Sequence, residues 1–250
     1  MHIRKTIDKT ERRINMYETF FISDLHLGHK NALAFDNRPF LSVDEQNKTI
    51  IENWNKTVDD LDTVYILGDI SFYGPVKTCE IFNQLNGKKH LIIGNHDHKL
   101  LKNQDVKRLF VDIQEKETIT INKQTLVLHH TPIQFFDNAH HGGYHFYGHV
   151  HNNDEWNFLE YNKRLIEEHH QTPHNMFNVG CMLPYMNYTP RTFDEIVNYS
   201  ETTKWKQINS TQQKCMNCET VFTIYSYPVQ TNRFCPNCGK RIENIEANFE

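Results

Sequence analysis

The chain lacks a long apolar run. Nowhere in its 250 residues does a hydrophobic stretch approach the roughly 20 residues that span a bilayer. Met1 to Glu18 alternates charged and polar side chains and offers no apolar core for an export signal. These absences speak against an integral membrane protein and predict a cytoplasmic one. Excess positive charge is missing too: 27 Lys and Arg stand against 31 Asp and Glu, a net charge of −4. Charge alone therefore points to no nucleic acid as partner. Isolated cysteines are few, since of six only Cys79 and Cys181 stand apart from a cluster between Cys215 and Cys238. Without an export signal, that usage speaks for metal and against a disulfide framework. No internal repeat is present, which excludes a solenoid.

What is there fits a folded chain: 38% hydrophobic and 12% aromatic residues, over a length sufficient for one large core or for a core plus a small satellite module. Apolar and β-branched runs recur at Thr19–Ile22, Thr63–Leu67, His90–Ile93, Thr125–Leu128, Tyr144–Tyr147 and Met176–Val179, and read as buried strands. Helices are expected between them, over Val43–Thr57 behind a Ser42/Glu45 capping box, and over Pro75–Leu85 stopped by Asn86-Gly87. A third, charged helix is expected from Asn153 or Asp154 to about His170, as a surface insertion. Alternating strands and helices argue an α/β layered domain over residues 1–197. Residues 198–213 turn to Ser, Thr, Gln, Asn and Lys and read as a linker to a module over 214–250.

Sixteen His make any single one uninformative, because a lone His at a strand end is usually a satisfied core or surface residue. Placement is another matter. Directly after the strand runs come Asp24-Leu25-His26, Gly68-Asp69, Gly94-Asn95-His96-Asp97, His129-His130-Thr131-Pro132 and Gly148-His149-Val150-His151. In open α/β sheets the carboxyl ends of the strands share one crevice, so these groups can converge. Carboxylate and amide oxygens mixed with imidazole nitrogens suit Mn, Fe, Zn or Co rather than Ca. Two such ions need a bridging carboxylate, and their natural reaction is phosphoester hydrolysis.

Those five blocks, in that order, resemble the signature of the calcineurin-like metallophosphoesterases. The likeness covers roughly the first 195 residues, since Asn178-Val179-Gly180 and the segment from Pro190 to Ile196 are similar to the family's closing strand region. Asp24 to Asn31, with Asn37-Arg38-Pro39-Phe40, further resembles a small branch often encoded by phages, which places the protein in the host cytoplasm. The resemblance implies a four-layer α/β/β/α sandwich. It implies one divalent transition metal (Mn, Fe, Zn, Ni or Co) on Asp24, His26, Asp69 and His151, and a second on Asp69, Asn95, His130 and His149. Asp69 is the implied bridge, and a hydroxide shared by the metals the implied nucleophile. His96 is the implied catalytic group beside the phosphate, with Asp97 fixing its tautomer. In the doublet His129-His130, His130 matches the family position, although a slip by one residue exchanges the two imidazoles. The family's protein phosphatases usually carry Glu where Asp97 stands, so a nucleotide or other small phosphodiester is the favoured substrate.

His29, His98 and Arg38 neighbour these motifs and are candidate contacts for a substrate phosphate, Arg38 through a bidentate fork. A solvated loop position explains each equally well. His140, His141, His169 and His170 read as surface residues, Cys79 as core, and Cys181 as packing near the site. In the tail, Cys215-x-x-Cys218 and Cys235-x-x-Cys238 have the spacing of a four-Cys structural zinc site, with a strand-like run at Val221–Tyr225 between them. The unit resembles a zinc ribbon, a module too small to fold without its ion. It is a candidate for recruiting DNA or RNA, which makes the whole chain a nuclease, and equally for docking or for forming a homo-oligomer. A non-catalytic, metal-scaffolded adaptor is the third reading.

Overall fold

The computed structural model describes residues 17–151 and 154–199 and, beyond them, the backbone of four strands. In chain order the elements are β1 (Thr19–Ile22), α1 (Lys30–Phe35), α2 (Val43–Thr57), β2 (Thr63–Ile66), α3 (Pro75–Phe82), β3 (Lys88–Ile92), α4 (Gln104–Lys107), β4 (Ile113–Gln114), β5 (Lys116–Ile121), β6 (Gln124–His129), β7 (Tyr144–Tyr147), α5 (Asp154–His170), β8 (Met176–Asn178), β9 (Arg191–Thr192), α6 (Phe193–Asn198), β10 (Thr203–Asn209), β11 (Gln212–Cys215), β12 (Val221–Thr223) and β13 (Ile242–Ile245). No helix among the described residues is long and apolar enough to cross a membrane.

Two sheets form the body. The first has the order β4-β3-β2-β1-β9 and is parallel except for β9. In the second, β5-β6-β7-β8, only the β5–β6 pair is antiparallel. Side chains alternate across a strand, and here each face of the second sheet has its own partner. Leu126, Leu128 and Phe146 point into the main core, where Phe146 meets Phe21 of β1 edge to face at 5.0 Å. Val127, Tyr147 and Met176 point the other way, into a smaller cluster that Leu159 of α5 covers. α2 buries Ile50 and Trp54 in the main core. Two sheets with helices packed against them are the mixed α/β architecture that the resemblance implies.

α2 begins as its sequence predicts, for Ser42 Oγ accepts the Glu45 N–H at 3.1 Å, although the Glu45 carboxylate accepts from Leu41 N–H rather than closing the box on Ser42. α3 ends at Phe82, three residues short of expectation, because the chain turns at Asn83. The edge strand β5 escaped sequence reading: Lys116–Ile121 alternates exposed and half-buried positions and holds no apolar run. The expected linker is a correction. Most of residues 198–213 is strand, with β10 and β11 paired antiparallel in a separate sheet ordered β12-β11-β10-β13. Backbone pairing tolerates polar side chains, and Thr203, Trp205 and Ile208 carry strand preference that the overall composition conceals. Of the expected zinc ligands, Cys215 ends β11, while Cys218, Cys235 and Cys238 lie outside the described residues.

Candidate metal centre

The strand ends deliver their polar residues to one place through interlocked loops. Asp24 N–H donates to Gly68 O at 3.1 Å, His26 N–H to Asp69 O at 3.0 Å, and Gly148 N–H to His130 O at 2.8 Å. Four of the expected ligands sit in the left-handed region: Asp24 (φ 56°), His26 (φ 47°), Asp69 (φ 54°) and His149 (φ 66°). Such backbone costs on the order of 1–3 kcal/mol per residue and persists only where its surroundings over-determine it. Glycine supplies the room. A Cβ on Gly94 would overlap the Asp69 carboxylate and backbone nitrogen, and one on Gly148 would overlap Ser23 Oγ and an Asp24 oxygen.

The imidazoles and carboxylates converge at distances too long for hydrogen bonds and short enough to share an ion. His26 Nε2 lies 3.7 Å from Asp24 Oδ1 and 3.6 Å from Asp69 Oδ2, while His151 Nε2 lies 3.8 Å from Asp24 Oδ1. On the other side His130 Nε2 is 3.6 Å from Asp69 Oδ1, and both His130 Nε2 and His149 Nδ1 approach Asn95 Oδ1 at 2.9 Å. Asp24, His26 and His151 form one group able to hold a metal, and Asp24, Asp69 and His130 another.

Two observations test whether a cation fits. Both ring nitrogens of His26 are buried without a hydrogen-bond partner, an expensive arrangement for an imidazole with nothing to bind. His130 Nδ1 lies 2.6 Å from Leu67 O and so carries the proton in a neutral ring. Its Nε2 lone pair then faces Asn95 Oδ1, acceptor against acceptor, a repulsion that a cation removes. Burial by itself raises the Asp24 pKa, but the imidazoles of His26, His130 and His151 outweigh it and hold the carboxyl below the usual carboxylate range. Burial and the neighbouring His130 likewise lower His149. Carboxylate oxygens and imidazole nitrogens are donors that suit a divalent ion.

The expected residues divide as follows. Asp24, His26, Asp69, Asn95, His130, His149 and His151 are all in the cluster. His129 is not: its Nδ1 turns to the Thr131 segment. His96 is half exposed beside it, with Nε2 3.9 Å from Asp69 Oδ2. Asp97 corrects an expectation. Its carboxylate is fully buried and accepts the N–H groups of Asp69 (2.9 Å), Ile70 (2.9 Å) and Gly94 (2.8 Å), so it ties two loops together and does not orient His96. Arg38 is a second correction. Instead of presenting a fork to substrate, it is buried, donating to Asp36 and to the Asp24 and Leu25 carbonyls. His29 stacks on Phe72 at 3.8 Å next to His26, whereas His98 is exposed on the short 3-10 helix over Asp97–Lys102.

Sequence reading missed three neighbours. Asp36 Oδ1 lies 2.6 Å from His151 Nδ1, and its only sequence signal was standing next to Asn37-Arg38-Pro39-Phe40. Phe35 and Phe72 remain 51% and 41% exposed while their rings stand 5.4 Å from His151 and 5.0 Å from His96.

A profile of the calcineurin-like phosphoesterase superfamily domain matches residues 18–193. The chain belongs to that superfamily. Its membership supports metal-dependent hydrolysis of phosphoesters. An uncharacterized protein of Methanocaldococcus jannaschii is 33% identical over 196 residues, which cover 76% of this chain and 96% of its own. The gene 66 protein of Mycobacterium phage L5 is 38% identical over 97 residues, 38% of this chain and 46% of its own. A solved structure from Aquifex aeolicus, a protein of unknown function, shares the fold with a TM-score of 0.56 at 23% identity, covering 72% of this chain and 98% of that one. In this calcineurin-like phosphoesterase, α5 borders an apolar cleft of about 430 Å³ with Pro132 and Val150, neighbours in sequence of His130 and His149. Cys181 lies beneath the centre, its thiol pushed up to about 12 by burial and donating to Asp24 O at 3.1 Å.

Proposed function

We propose that the chain is a two-cation phosphodiesterase acting on a nucleotide or another small phosphodiester. One observation carries the reading. The two oxygens of Asp69 face opposite ways, Oδ2 toward His26 and Oδ1 toward His130, so a single carboxylate stands between two donor sets. Asp24, His26 and His151 would hold one ion of the Mn, Fe, Zn, Ni or Co kind, and Asn95, His130 and His149 the other, with Asp69 shared. When bound, such a pair acidifies water and draws charge from a phosphoryl oxygen.

The protein's own groups do the rest. The strained loops hold the ligands in place before substrate arrives, so little reorganisation is left for the reaction. His96, half exposed at the rim, would give a proton to the leaving ester oxygen. Phe35 and Phe72 keep flat apolar surface in water beside the centre, which favours an ester bearing a ring over a phosphoprotein.

The test compares initial rates on a bis-aryl phosphate, an aryl monophosphate, cyclic nucleotides and single-stranded DNA, with Mn²⁺ added and after chelation. Diesters are expected to lead, and chelation to abolish turnover. His96→Ala should lower kcat by about 10²–10⁴-fold, and Asp69→Asn should remove activity. A strong monoester preference contradicts the diester reading, and full activity in both variants removes the two-cation reading altogether.

A further inference from the structure

We propose that Asp36 and Arg38 are positioning residues for one half of the centre, a role that rests on the two-cation reading above. Asp36 and Arg38, between the first ligand motif and α2, turn inward and grip the centre at two points. Asp36 has no exposed side-chain surface, and its two oxygens have separate partners: Oδ1 takes His151 Nδ1 at 2.6 Å and Oδ2 takes Arg38 Nε at 2.8 Å.

The first contact sets a tautomer. With Nδ1–H given to Asp36, the lone pair of His151 is on Nε2, the nitrogen that faces Asp24 Oδ1. A carboxylate on the far nitrogen fixes ring orientation and strengthens the near one as a ligand. The second contact supports backbone. Arg38 Nη2 donates to Asp24 O at 3.1 Å and Nη1 to Leu25 O at 3.2 Å, so the guanidinium braces a loop whose Asp24 and His26 both hold left-handed φ. Gln46 Oε1 accepts from Nη1 at 3.2 Å and ties the brace to α2. Thus Asp36 aims one ligand, Arg38 holds the loop carrying two more, and the pair neutralise each other out of water. His130, Asn95 and His149 receive nothing from either residue in the bonds described. The effect of losing the Asp36 carboxylate should fall on one ion and spare the other.

Calorimetric titration of the full chain with Mn²⁺ reads this directly. The wild type is expected to bind two ions, and Asp36→Asn to bind one of them 10–100-fold more weakly, the loss typical of a partner behind a ligand, with the other unchanged. Asp36→Glu should restore part of the loss. A folded Asp36→Asn that keeps both affinities, or loses both equally, overturns the proposal while leaving the two-cation reading intact. A wild type that binds no second ion overturns both. Because Asp36→Asn leaves Arg38 buried without its counterion, a measurement on the wild type covers a variant that fails to fold. Imidazole ¹⁵N shifts of metal-free protein at pH 8 should show His151 protonated at Nδ1, and protonation at Nε2 overturns the proposal.

Discussion

A methyl group at position 94 has nowhere to go. It would overlap the backbone nitrogen and carboxylate of Asp69, neither of which is the free end of a flexible side chain. Asp69 cannot yield without disturbing the donors on both of its sides. Gly94→Ala should therefore cost about 1–3 kcal/mol, the usual penalty of overpacking, and lower activity more than its stability loss accounts for. Gly74→Ala is the matched control, since a methyl there meets nothing within 4 Å, and it should cost no more than about 1 kcal/mol. Denaturant unfolding and diester turnover of the two variants, side by side, decide it. Equal effects would mean that the close approach at Gly94 carries no weight. At this scale the sequence was legible where chemistry repeats behind strands, as at Asp24, Asp69 and His130. It was illegible for Asp36, one of 31 acidic residues and 115 positions from its partner His151. Adjacency also misled: consecutive residues in a turn point different ways, so His96 faces solvent while Asp97 is buried holding loops.

Strands β6 and β7 are joined by more than their ladder. His145 of β7 lies inside, its Nδ1–H donating to Val127 O and its Nε2 accepting Ile133 N–H, both at 3.0 Å. The bond accepted by Nε2 requires a neutral ring. Burial pushes this imidazole down to about 4, with His129 and His174 adding repulsion against its charged form. An unfolded chain takes up that proton near 6.5. Between those values the unfolded state binds more protons than the folded one, so stability rises with pH. The contribution is complete above about 6.5, declines as pH falls toward 4, and changes no further below. At ~1.4 kcal/mol per pH unit the decline amounts to about 3 kcal/mol. His145→Gln keeps a donor and an acceptor without titrating. It should be less stable at pH 7.5 yet lose less than the wild type on going to pH 4.5, as read from urea midpoints. The same loss in both would assign the acid sensitivity elsewhere. Elements were legible in proportion to their burial. β1, β2, β3, β6 and β7 announce themselves as apolar runs, whereas β5 at a sheet edge and β9, only two residues long, do not.

The superfamily match ends at residue 193, one residue after the last strand of the first sheet. β9 pairs antiparallel with β1 and completes the first sheet, and α6 follows at once, opened by a Thr192/Glu195 capping box. Every residue named in the centre lies between Asp24 and Cys181, and both sheets of the body are complete by residue 192. Among the described residues, the strands beyond form a sheet of their own. Chemistry and tail are therefore expected to separate. A chain ending at residue 199 should hydrolyse a small bis-aryl phosphate within about twofold of the full-length rate, because every expected ligand and every strand of the two sheets lies before that residue. If the tail recruits nucleic acid, the full chain should bind single-stranded DNA or RNA with an affinity that falls steeply with salt, as phosphate contacts require. The shortened chain should lose that binding while keeping small-ester turnover. A shortened chain that folds, binds Mn²⁺ and yet loses small-ester turnover by tenfold or more would show the tail to be part of the active site, and the division drawn here would fail.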